Sequence, residues 1–79
     1  MVYSSIFAKR IRTLCDERGY SISKLAYISD VSESTLDNIM QGHTNNPGIM
    51  SLHKIALAFN MTLSEFLDFK ELDEFSFDK

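Results

Sequence analysis

Leu25-Ala26-Tyr27-Ile28-Ser29-Asp30-Val31-Ser32-Glu33-Ser34-Thr35-Leu36-Asp37-Asn38-Ile39-Met40-Gln41-Gly42 is the stretch on which the fold turns. Leu25 and Ala26 lie on the apolar side of a short helix that Ser21 can cap, with Ile22 and Ile28 as its other apolar positions. Only Asp30-Val31-Ser32 separates it from a second helix, in which Leu36, Ile39 and Met40 recur at helical spacing and Gly42 is the terminator. Two helices joined so briefly cross at a steep angle. Ala26 is small where the second helix must approach the first, Val31 plugs the corner, and Leu36 and Ile39 bury the inner face. The outer face is then Glu33, Ser34, Asp37, Asn38 and Gln41, every one able to hydrogen-bond.

Upstream, Phe7, Ile11, Leu14 and Cys15 form an amphipathic stripe that Gly19 terminates. Downstream, His43 to Gly48 reads as a polar loop closed by Pro47, and a fourth helix carries Ile49, Leu52, Ile55, Ala56 and Phe59 on one face. Asn60 suits a left-handed terminator. Thr62-Leu63-Ser64-Glu65 is a capping box, opening a fifth helix with Leu63, Phe66 and Leu67. The expectation is an all-α, five-helix domain over residues 1–68, followed by an acidic, Phe-containing tail over 69–79.

At 79 residues there is room for one domain, and a core this small needs each of its apolar stripes. The single Cys15 rules out an internal disulfide framework and a cysteine cluster for zinc, which points to a reducing, cytoplasmic compartment. The longest apolar run, Ile55 to Phe59, is far short of the roughly 18 residues of a membrane span. No basic segment followed by an apolar one opens the chain, so a signal peptide is not expected. The net charge of −3 argues at first against nucleic acid. Its distribution weakens that argument. Residues 1–64 hold six basic and five acidic side chains, a net +1, and residues 65–79 hold two basic and six acidic, a net −4.

A polar helix face at the rim of a tight turn is the part that enters the major groove in helix-turn-helix proteins. Here the sequence resembles the lambda-repressor-like, Cro/repressor-type helix-turn-helix proteins of bacteria and phages. The resemblance covers about residues 6–68 and rests on Ile11-Arg12-x-Leu14, Gly19, Leu25-Ala26, Val31-Ser32, Leu36, Ile39, Gly42, Pro47 and Leu52-x-x-Ile55-Ala56-x-x-Phe59. It implies a five-helix fold, sequence-specific binding of double-stranded DNA, and a homodimer on a palindromic operator, with no cofactor. The implied base-contact positions are Ser32, Glu33, Ser34, Asp37, Asn38 and Gln41. The implied phosphate-contact positions are Ile22, Thr44, Asn45 and Asn46, and Arg10, Arg12 and Lys24 are further cations for phosphate.

Several positions depart from that pattern. Ile22 stands where Gln is common, and Asn45 and Asn46 stand where basic residues are common, so phosphate contacts are lost. Glu33 and Asp37 lie at i, i+4 and repel each other and phosphate, although a carboxylate can accept from cytosine N4. Asp30 takes a turn position where Gly is usual. Cys15 and Met40 replace an Arg–Glu ion pair usual in relatives, a joint replacement that leaves no charge stranded, and the two are expected to touch in the core.

His43 and His53 have no carboxylate or thiol at ligand spacing, so no metal site is expected, and no catalytic constellation is present. In the tail, Phe69, Leu72 and Phe75 recur at threes, as in a helix continuing from the fifth. The tail then reads either as a fraying acidic end or, with Met50 and Leu57 of the fourth helix, as a dimer or partner surface. The expected function is a DNA-binding regulator, a repressor by preference. The alternative is a helix-turn-helix module that binds a protein partner and little DNA.

Overall fold

The computed structural model describes residues 3–44 and 46–78. Among these residues six helices follow in order: α1 (Tyr3–Arg18), α2 (Ile22–Ser29), α3 (Glu33–Met40), α4 (Ile49–Ala58), α5 (Leu63–Leu67) and α6 (Lys70–Asp73). No strand occurs among the described residues.

Three helix ends use one device. Gly19, Gly42 and Asn60 adopt left-handed backbone, at φ 69°, 72° and 61°. After each, the next residue's N–H reaches back to the carbonyl five residues earlier: Tyr20 to Cys15 at 2.9 Å, His43 to Asn38 at 2.9 Å and Met61 to Ala56 at 3.0 Å. This satisfies carbonyls that a helix end otherwise leaves unpaired. The starts are equally local. Ser21 accepts from the Lys24 N–H, and Thr62 and Glu65 form a complete capping box.

The core gathers one face from each of the first five helices. Ile6, Phe7, Ile11, Leu14 and Cys15 of α1 meet Leu25 and Ala26 of α2, Leu36 and Ile39 of α3, Leu52, Ile55 and Ala56 of α4, Phe59, and Phe66 of α5. Helix α1 packs on α3, α2 on both α3 and α4, and α4 on α5. Val31 is buried in the corner between α2 and α3, as its position suggested. Two expected core positions are not core. Ile49 is 62% exposed because it opens α4, one turn before the helix meets its neighbours at Leu52. Ile28 is 40% exposed, lying at the edge of a face centred on Leu25, Ala26 and Ser29.

The C-terminal end departs further from expectation. The fifth helix does not continue; α5 stops at Leu67, and Phe69 is extended (φ −144°, ψ 152°) before the single turn of α6. The reason lies on α1. Arg10 donates from Nε to the Phe66 carbonyl and from Nη2 to the Glu65 carbonyl, both at 3.0 Å. In a continuing helix those carbonyls would accept from the N–H groups of residues 69 and 70. The tail instead folds back onto α1. The Phe69 ring lies 6.1 Å from Phe7, Phe75 lies 5.0 Å from Tyr3, and Lys9 pairs with Glu71 at 3.0 Å. Lys9 thereby holds the exposed Glu71 carboxyl below its ordinary range.

Ser4 is fully buried near Gly42, and its hydroxyl has no hydrogen-bond partner among the described residues. An unsatisfied buried hydroxyl is costly, and Ala is the better helix former. Ser4→Ala is expected to stabilise the fold by about 1 kcal/mol, a rise of roughly 4–8 °C in Tm by thermal unfolding.

Candidate nucleic-acid interface

Helices α2 and α3 are joined through Asp30, whose left-handed backbone (φ 60°) ends α2. A non-glycine residue there carries a steric cost that Asp tolerates better than most. Ser32 then caps α3, its hydroxyl accepting from the Thr35 N–H at 3.1 Å and donating to Thr35 Oγ1 at 2.9 Å. Among the expected base contacts, Ser32 is thus occupied in starting the helix. Glu33 is also engaged: Ser23, in the first turn of α2, donates its hydroxyl to the Glu33 carboxylate. This bond ties together the N-terminal ends of the two helices. It also draws Glu33 toward α2.

With Leu36 and Ile39 locked inward, helical register turns Ser34, Asp37, Asn38 and Gln41 outward, and all four are exposed. Their side chains make no hydrogen bond among the described residues. Asn38 borders a cleft of about 170 Å³ whose other walls include Thr35, Thr44, Asn46 and the buried Pro47. Thr44 and Asn46 therefore share a cleft with Asn38, with the Asn46 N–H bonded to Thr44 Oγ1 at 3.2 Å. Asn45 lies outside the described residues.

The remaining expected phosphate contacts divide sharply. Ile22 is half-buried against the core, in a cleft of about 440 Å³ shared with Arg12, Cys15, Met40 and Gln41. Lys24 is exposed at the start of α2, its ammonium 5.0 Å from the centre of the Tyr20 ring. Arg10 is instead a structural clamp. Besides its two carbonyl bonds it lies 5.8 Å from the Phe66 ring centre and 5.2 Å from that of Phe69. Arg18 does the same for α4, donating to the Phe59 carbonyl at 3.0 Å over the Phe59 ring. Lys54 is 3.9 Å from Asp30. Arg12 and Lys24 are left as the cations of residues 1–64 without an ionic or carbonyl partner among the described residues.

Cys15 and Met40 open onto the same cleft, Cys15 buried and Met40 half-buried. Burial pushes the Cys15 thiol up from its ordinary value, Asp16 adds to this and Arg12 opposes it. Among the described residues, no three His, Cys, Asp or Glu side chains are grouped to hold a metal ion.

Met50 and Leu57 of α4 are 69% and 60% exposed. Phe69, Leu72 and Phe75 are not their outward-facing companions. All three are half-buried against the core, because the tail has turned onto α1. Sequence reasoning missed the clamps made by Arg10 and Arg18, for the acceptors are backbone carbonyls, which carry no side-chain signature. It also missed Tyr27, which stands 87% exposed on α2.

Residues 10–71 match the Cro/C1-type helix-turn-helix DNA-binding domain. The chain is similar to the HTH-type transcriptional regulator SinR of Bacillus subtilis (strain 168), at 31% identity over 70 residues, 89% of this chain and 63% of that protein. It is similar to SlrR of the same organism, also an HTH-type transcriptional regulator, at 38% identity over 58 residues, 73% of this chain and 38% of that protein. SinR of Bacillus licheniformis matches at 30% identity over 70 residues, 89% of this chain and 63% of that protein. The chain therefore spans less than two thirds of the length of these relatives. No solved structure gives a significant match.

The clamp reading of Arg10 is separable from a phosphate role. Arg10→Ala is expected to lower folding stability by about 1–3 kcal/mol in chemical denaturation. The slope of DNA affinity against salt should stay unchanged, since a lost phosphate contact would reduce it by about one.

Proposed function

The chain belongs to the Cro/C1-type helix-turn-helix DNA-binding family, and from this we propose that it is a transcriptional regulator, a repressor by preference, acting in the cytoplasm. Helix α3 enters the major groove of double-stranded DNA and reads bases through Ser34, Asp37, Asn38 and Gln41, with Ser32 and Glu33 holding the helix in place. The observation that carries this reading is the partition of α3. Leu36 and Ile39 are buried, while four adjacent polar side chains are exposed and have no partner among the described residues. A surface helix with only a solvating role has no need of so tight a turn to hold it. Backbone positioning falls to Lys24 at the start of α2, to Arg12 on α1, and to Thr44, Asn45 and Asn46 beyond α3.

In this reading residues 1–68 are the DNA-binding unit and 69–79 an appendage folded on it. Two copies meet through the exposed Met50 and Leu57 of α4 and place their α3 helices about one DNA turn, ~34 Å, apart. Few cations are free, so grip on phosphate is weak and depends little on salt. The same scarcity supports the second reading, a module whose partner is a protein.

Selection from random duplexes at low salt is expected to recover a palindromic consensus, and Asn38→Ala with Gln41→Ala to abolish it. Failure to enrich any sequence favours the protein-partner reading. Met50→Glu with Leu57→Glu should yield a monomer by sedimentation; an unchanged dimer would place the interface elsewhere. The tail's charge can be tested without disturbing its packing, because Asp73, Glu74 and Asp78 are exposed. Asp73→Asn, Glu74→Gln and Asp78→Asn together should raise affinity for unrelated DNA at low salt, an effect that 0.5 M salt removes.

A further inference from the structure

The chemistry left on the outward face of α3 is narrow. From Glu33 to Gln41 there is no Lys, Arg or His. The structure narrows it again, since the Ser32 and Thr35 hydroxyls bond each other and the Glu33 carboxylate accepts from Ser23. What remains is one carboxylate, Asp37, two side-chain amides, Asn38 and Gln41, and the Ser34 hydroxyl. In the major groove guanine offers two acceptors, N7 and O6, which Arg or Lys pairs most often. Nothing on α3 provides such a cation. An amide pairs bidentately with adenine, at N6 and N7. An ionised carboxylate only accepts, so it matches the N4 amino group of cytosine and is repelled by guanine N7 and O6 and by thymine O4.

Resting on the major-groove reading above, we infer that α3 recognises its half-site through base amino groups, with Asp37 the residue that selects cytosine. Any G·C pair facing α3 is then read chiefly from its cytosine edge, since only neutral donors, the Ser34 hydroxyl and the two amides, remain for guanine N7. An unpaired carboxylate beside phosphates is costly unless it meets a donor. Asp37 therefore adds discrimination more than affinity.

The test uses the full chain. Selection from random duplexes is run on the protein and on Asp37→Asn, an exposed change that keeps the side-chain shape. The selected site is then rebuilt with 7-deazaguanine or with 7-deazaadenine, each lacking the N7 acceptor. The expected result is a consensus with cytosine at one α3-dependent position, which Asp37→Asn converts to adenine while other positions hold. Replacing guanine by 7-deazaguanine should leave Kd within about twofold, and replacing adenine by 7-deazaadenine should weaken binding roughly 5- to 150-fold. A consensus whose binding falls tenfold or more with 7-deazaguanine, or whose base preferences survive Asp37→Asn, overturns the inference and leaves the DNA-binding reading standing. No enriched sequence at all overturns both. The base analogues leave the protein unaltered, so a folding defect in the variant cannot mask the outcome.

Discussion

An isolated helix of eight residues is marginal in water, and α3 is held in shape by its surroundings. Burial of Leu36 and Ile39 is the interaction on which the rest depends. Each such side chain contributes about 1.5–3 kcal/mol when removed from water. Their burial also fixes the rotation of the helix, and hence which side chains face out. Asp30 and Val31 set the angle at which α3 leaves α2, and the Ser23–Glu33 bond holds the two helix starts together. A looser elbow would present the same residues in no defined register.

Charge is used in two ways. Arg10 and Arg18 serve the ends of α5 and α4, where unpaired carbonyls and the negative pole of the helix favour a cation. The planar guanidinium both donates to carbonyls and lies over an aromatic ring, which an ammonium does less well. Two of the four cations that precede Gly19 are therefore structural. The net +1 of residues 1–64 overstates what a polyanion would meet, while α3 itself carries two carboxylates, Glu33 and Asp37.

Features whose causes lie within a few residues are legible in the amino-acid sequence. The left-handed ends at Gly19, Gly42 and Asn60, the caps at Ser21 and Thr62, and the buried Ala26, Val31, Leu36 and Ile39 follow from local chemistry and helical period. Failures cluster where a remote segment intervenes. Phe69, Leu72 and Phe75 fit a helical repeat, yet Arg10, more than fifty residues earlier, takes the carbonyls that a longer helix needs. Ile49 fits the α4 stripe, but it opens the helix and stays 62% exposed. Ser32 and Glu33 are expected base contacts, but a cap and a cross-helix bond engage them once the two helices are folded together.

Sequence pattern alone therefore specifies the first five helices, the tight elbow and the polar composition of α3, because caps, terminators and periodicity act over four or five residues. Which polar groups on that helix stay free, which arginines are committed to carbonyls, and where the tail lies are matters of tertiary packing. The reason is physical: backbone carbonyls and ring faces accept partners from any distance along the chain, and no residue type announces that they are taken.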